Sequence, residues 1–160
     1  QALEQLGFGS ENGTWRNFFL MGAFELRNGS VGTATVTAPE DFIRGLTNEQ
    51  MFDAIAIQID GPQAGDRKIT LRWIFTDTGA EHLLTLEHGV LTHRRKTTTG
   101  PVDATVKIER SALNEIAAKT ADIGELFNSG RLSVDGDAMK LGELLGLMDP
   151  PDPGFAIVTP

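Results

Sequence analysis

Cysteine is missing from all 160 residues. That excludes disulfides, thiol nucleophiles, iron–sulfur clusters and cysteine-ligated zinc. A chain without thiols suits an oxidising space as well as a cytosol. Nor is there an apolar run approaching the roughly 18 residues needed to cross a bilayer, so no transmembrane segment is expected. Basic residues are in the minority, with 14 Lys and Arg against 22 Asp and Glu and a net charge of -8. Nucleic acid is therefore not an expected partner, because neutralising phosphate requires clustered cations. No internal repeat is present. The opening "QALEQLGFGS" lacks the basic stretch and apolar core of a secretory signal, and its Gln1 in place of Met leads us to expect a processed or truncated chain.

What remains, 40% hydrophobic and 22% charged residues, is the composition of a globular protein. The length suits one domain, or one domain with a piece of another. Residues 15–28 have helical spacing with apolar residues on nearly all sides: Trp15, Phe18, Phe19, Gly22 and Leu26 on one face, Leu20, Met21 and Phe24 on the other. Thr14 is the expected N-cap, and Gly29 suits the left-handed C-terminal position. The face led by Trp15, Phe18, Phe19 and Leu26 is expected to pack within its own subunit. Leu20, Met21 and Phe24 would then meet further helices or a second subunit.

The small, turn-rich stretch that follows reads as a linker. Thr47 and Gln50 form a capping box that opens a second helix, buried through Met51, Phe52, Ile55 and Ile59 up to the turn "DGPQAGD". Period-two alternation then marks strands at 68–76, 82–88, 90–96 and 103–109, with a fifth at 131–134. Ser111 is an expected cap for a short helix, Asp122 with Glu125 opens another, and Asp137 caps a last one around 138–148. Strands and helices are segregated, so the class is α+β, with a mainly antiparallel sheet of about five strands covered by helices.

Two stretches, "KITLRWIFTDTGAEHLLTLEHGVLTHR" and "LFNSGRLSVDGDAMKLGELLGLMD", resemble a sterol-carrier-protein-2-like domain. The specific run is Phe127, Gly130, Leu132, Gly136 and Asp137, followed by a Leu-rich helix. "TWRNFFLMGAFELRNG" resembles the end of the dimerisation domain of the alkyl sulfatases, and "FAIVTP" resembles their C-terminus. Those are metallo-β-lactamase-superfamily enzymes with a sterol-carrier-like domain after the catalytic one. The resemblance implies three parts: 1–29 from the helical dimerisation domain, 30–40 as linker, and 41–160 as the sterol-carrier-like domain. It also implies a catalytic domain holding two zinc ions through an "H-x-H-x-D-H" motif, which this chain lacks. No cofactor and no catalytic residue are expected here.

The resemblance implies an apolar cavity or surface for an alkyl chain or similar lipid-like molecule, the alternative roles being a stand-alone carrier of lipids or sterols and a purely structural domain. Candidate lining residues are Phe42, Met51, Phe52, Ile55, Trp73, Phe75, Leu84, Phe127, Leu144, Leu145 and Met148; the competing reading is that they fill a core. Trp15, Phe18, Phe19, Leu20, Met21, Phe24 and Leu26 are the candidate interface with the missing domains or a second copy, a homodimer being expected. "HRRK" at 93–96 could meet an anionic head group, but reads better as a solvated strand end. His82, His88 and His93 read as isolated surface histidines rather than a metal site. Asp135 and Asp137 read as a turn, since the carboxylate spacing of a calcium loop is missing.

Overall fold

The computed structural model describes residues 1–32, 39–95, 100–149 and 152–159. The chain forms two compact units, one of residues 1–36 with 151–160, the other of residues 37–150.

In the first unit, α1 (Ala2–Gly9) and α2 (Gly13–Asn28) form an antiparallel helical hairpin. Gly7 brings the helices close, since a Cβ there would lie 2.7 Å from Leu20 Cδ2. Glu4 and Arg27 pair at the far end. The side of α2 turned inward is thus the line of Arg16, Leu20, Ala23 and Arg27. This corrects the expected division of faces: Trp15, Phe18 and Leu26 are exposed, and Leu20 packs on α1. Physically, α1 has only eight residues and leaves its own Leu6 and Phe8 exposed, so it covers one narrow stripe of α2. The N-cap is Asn12 rather than Thr14, its Oδ1 accepting from the amides of Thr14 and Trp15. Gly29, at φ 80°, ends the helix as expected.

Residues 152–159 also belong to this unit. The buried Glu25 carboxylate accepts from the amides of Val158 (2.9 Å) and Thr159 (2.9 Å), the amide of Ile157 and the Thr159 hydroxyl. Burial pushes the Glu25 carboxyl up, but these donors outweigh it and hold it below its ordinary value.

The second unit is a sheet covered by helices. Its strands are β1 (Ile69–Phe75), β2 (Glu81–Glu87), β3 (Val90–Arg95), β4 (Ala104–Ile108) and β5 (Leu132–Gly136), in the order β3-β2-β1-β4-β5. All neighbours are antiparallel except β1 with β4, so the expected α+β class and mainly antiparallel sheet are found. β2 turns into β3 through His88 and Gly89, both at positive φ, the backbone a tight two-residue hairpin requires. The alternation seen in the sequence becomes one buried face: Ile69, Leu71, Trp73 and Phe75 on β1, His82, Leu84 and Leu86 on β2, Leu91 on β3, and Ala104, Val106 and Ile108 on β4.

The covering helices are α3 (Glu40–Gly45), α4 (Asn48–Ile57), α5 (Gly61–Ala64), α6 (Arg110–Ala117), α7 (Ile123–Asn128) and α8 (Ala138–Gly146). The Thr47–Gln50 capping box opens α4 as expected. Three local expectations fail. Part of the supposed linker is α3, where Ile43 is buried and Glu40 and Asp41 favour the first turn; residues 33–38 lie outside the described ones. "DGPQAGD" contains α5, capped by Asp60 with Pro62 in its first turn. Ser111 does not cap α6, whose N-cap is Glu109, while the Asp77 carboxylate takes the Arg110 amide at 2.9 Å. A distant acid does what the local hydroxyl was expected to do.

Gly136, within the motif read from the sequence, sits at φ 99°, and a Cβ there would fall 2.7 Å from the Asp103 carbonyl. Gly136→Ala is therefore expected to destabilise the sheet unit by about 1–3 kcal/mol, lowering the urea midpoint. An unchanged midpoint would show that this close approach is not needed.

Candidate functional site

The eleven candidate lining residues divide sharply by exposure. Met51, Phe52, Trp73, Phe75, Leu84 and Leu144 are buried in the core of the sheet unit, with Ile55 packed against it. Phe42, Phe127 and Leu145 are exposed, and Met148 is half-buried. This division has a simple origin. Strand alternation turns Trp73, Phe75 and Leu84 toward the helices, and the inward sides of α4 and α8 bring Met51, Phe52, Ile55 and Leu144 onto them, while α3, α7 and α8 each carry an apolar residue on the outward side.

At the centre of the buried set stands Phe52 of α4. Its ring centroid lies 5.5 Å from that of Trp73, 6.0 Å from Phe75, 5.1 Å from His82 and 5.8 Å from His93. Trp73 and His82 are cross-strand partners, and Leu84 faces His93 on the next strand. His93 Nε2 donates to Asp53 Oδ1 at 2.8 Å, pinning the strand edge to α4. His82 is not the surface histidine expected: it is 1% exposed, because position 82 falls on the covered face of β2. Burial drives its pKa below the ordinary 6.5, against the attraction of Glu49. The signal that could have placed it was the register itself, since His82 alternates with Leu84 and Leu86.

His88 is exposed in the hairpin beside Glu87. Among the described residues no three or more His, Asp or Glu come together in a way that could hold a metal. The "HRRK" run divides as alternation requires: Arg95 faces His82, Arg94 faces Leu83. Arg95 lies 4.0 Å from Glu49, and residue 96 is outside the described ones. Asp137 caps α8 through Met139 N, the turn reading of that loop.

On α2 of the first unit, Trp15 is 63%, Phe18 56%, Phe24 47% and Leu26 69% exposed. Two open hollows lie along it. One of about 530 Å³ is lined by Asn17, Leu20, Met21, Phe24 and Val31. The other, about 350 Å³, is lined by Thr14, Trp15, Phe18 and Phe19. All seven candidate interface residues thus border a hollow or stand exposed. So much apolar area on one helix is unusual for a surface left to water.

Residues 36–160 match the alkyl sulfatase C-terminal family. The chain belongs to that family. Over 159 residues it is 41% identical to an (R)-specific secondary-alkylsulfatase of Pseudomonas sp., and over 160 residues 41% identical to a linear primary-alkylsulfatase of Pseudomonas sp.. An alkyl/aryl-sulfatase of Saccharomyces cerevisiae is 33% identical over 159 residues. Each alignment covers 99% of this chain and 24% of the relative, so the chain spans about a quarter of their length. Among solved structures, the stereoselective inverting sec-alkylsulfatase Pisa1 from Pseudomonas sp. matches with a TM-score of 0.80 and 39% identity, over 99% of this chain and 25% of that one. The family match begins at residue 36 and runs to 160, so it takes in the tail that packs with α1 and α2.

Burial of neutral His82 has a consequence for pH. The unfolded chain protonates this side chain at its ordinary pKa, the folded chain only below it, so the unfolded state binds more protons in that window. Its contribution to stability is complete above about pH 6.5 and is lost as pH falls below it. Chemical unfolding at pH 7.5 and 5.5 should show a fall in stability that is smaller in His82→Phe; an equal fall in both would place the cause elsewhere.

Proposed function

We propose that this chain is the non-catalytic C-terminal part of a zinc-dependent alkyl sulfatase, presenting apolar surface to the alkyl chain of substrates such as dodecyl sulfate and helping to assemble the enzyme. The observation that carries the proposal is the equal 41% identity to a secondary- and to a primary-alkylsulfatase. A part equally similar to enzymes named for different positions of the sulfate is suited to what their substrates share, the alkyl chain. The two zinc ions belong, on this reading, to a catalytic domain that is not in this chain, and no hydrolytic step is assigned to its residues.

Each methylene taken from water contributes about 0.8 kcal/mol, so partial burial of a dodecyl chain suffices for binding without polar contacts. Two sets of residues serve the role. In the sheet unit, Phe42, Ile55, Phe127, Leu145 and Met148 provide surface, and the core residues Met51, Phe52, Trp73, Phe75, Leu84 and Leu144 provide an interior that can adapt. On α2, Trp15, Phe18, Phe19, Leu20, Met21, Phe24 and Leu26 form the assembly face, toward the missing domains or a second copy. We take residues 1–29 as the end of the dimerisation domain, 30–40 as a linker and 41–160 as the sterol-carrier-like part. The full burial of Phe52 and Phe75 favours one alternative, a structural domain with a filled core and no ligand.

Titration with a fluorescent fatty acid separates the two. Saturable binding, competed by dodecyl sulfate, is expected; no saturable binding would leave the filled-core reading. The same preparation should leave dodecyl sulfate intact with or without zinc, and metal-dependent turnover would overturn the non-catalytic assignment. Sedimentation should show self-association of the chain that Phe18→Asp with Phe24→Asp abolishes. A monomeric parent chain would contradict a second copy as the partner of this face.

A further inference from the structure

Buried polar atoms without a hydrogen-bond partner are rare in folded proteins, and each one calls for an explanation. In the sheet unit Trp73 Nε1, both ring nitrogens of His82 and His93 Nδ1 are in that position. They belong to three side chains on neighbouring strands, on the same covered face, and the single ring of Phe52 touches all three. A merely apolar core would have placed hydrocarbons here.

The inventory of donors and acceptors is specific. Trp73 supplies one N–H. A neutral His82 supplies one N–H and one bare nitrogen. His93 donates from Nε2 to Asp53, which leaves its Nδ1 as a bare acceptor. A hydroxyl group, with one proton and two lone pairs, matches three of these four atoms: it accepts from the N–H groups of Trp73 and His82 and donates to His93 Nδ1, leaving the bare nitrogen of His82. A sulfate or carboxylate does not, since it brings no proton. The nearby charges also disfavour an anion, because Glu49 and Asp53 of α4 border the cluster and Arg95 is already paired with Glu49.

We propose that Trp73, His82 and His93 form a binding site for the hydroxyl head of a long-chain aliphatic alcohol, with Phe52 as the side chain that must turn aside to admit it. The proposal deepens the alkyl-binding reading and rests on it. Alcohols are the class of molecule that hydrolysis of an alkyl sulfate releases, so the site would favour product over substrate.

The chain has two tryptophans, Trp15 and Trp73, so its two indole N–H signals in a ¹⁵N correlation spectrum provide probe and control. 1-Decanol, decane and decyl sulfate would each be added to the full chain, alongside displacement of a bound fluorescent fatty acid. With 1-decanol the Trp73 indole N–H and the His82 ring nitrogens are expected to shift, while decane and decyl sulfate leave them in place. The preference for alcohol over alkane should be about tenfold, the worth of one net hydrogen bond, and should vanish in Trp73→Phe with His82→Phe. His82→Phe exchanges an orphaned polar ring for an apolar one, whereas Trp73→Phe also removes buried volume, so the Trp15 indole signal and the urea midpoint check that the double variant is folded. Displacement by all three ligands without a Trp73 shift would overturn the hydroxyl site alone. No displacement by any of them would overturn alkyl binding, and this site with it. A Trp73 indole cross-peak to a resident water that persists with 1-decanol would also overturn it, the atoms then being satisfied by water only.

Discussion

The contact of Phe52 with the covered face of the sheet is the constraint on which the second unit depends. One ring from α4 reaches β1, β2 and β3 at once through Trp73, Phe75, His82 and His93. It therefore couples the helix layer to the antiparallel half of the sheet, and removing it would open a cavity among side chains that are mostly buried. The Thr47–Gln50 box fixes where α4 starts, and so the turn of helix on which Phe52 lies. On the outer side the Asp53–His93 hydrogen bond closes the same seam.

The physical signals that were legible in the sequence were the periodic ones. Alternation from Ile69 to Phe75 located the central strand and its buried face, and the capping chemistry of Thr47, Asp122 and Asp137 located three helix starts. What was missed depended on partners far along the chain. Ser111 looked like a cap, but the Asp77 carboxylate, more than thirty residues away, takes the Arg110 amide. Asn12 displaced Thr14 because either side chain suits the position locally and only the geometry of the α1–α2 turn decides. His82 read as surface because histidine usually is; its burial follows from strand register. The inward side of α2 could not be read from hydrophobicity, since the helix is apolar on nearly all sides and the deciding residue on its partner was a glycine, Gly7.

The candidate site was legible as a list but not as an arrangement. The sequence named Phe52, Trp73 and Phe75 as apolar residues, and the fold brings them together with two histidines that the apolar reading had set aside. What looks like a filled core thereby gains polar atoms with no protein partner. Independently, α2 carries an apolar surface out of proportion to its sixteen residues. Both features belong to a chain of the alkyl sulfatase C-terminal family.

Hydrogen–deuterium exchange of the chain with and without 1-decanol tests the alkyl-binding role most directly, because it reads every element without altering a residue. Slower exchange concentrated in α4 and in β1, β2 and β3 is the expected result, since an alcohol held beneath Phe52 would tie those elements together. Exchange that is unchanged across the sheet unit at saturating alcohol would contradict it.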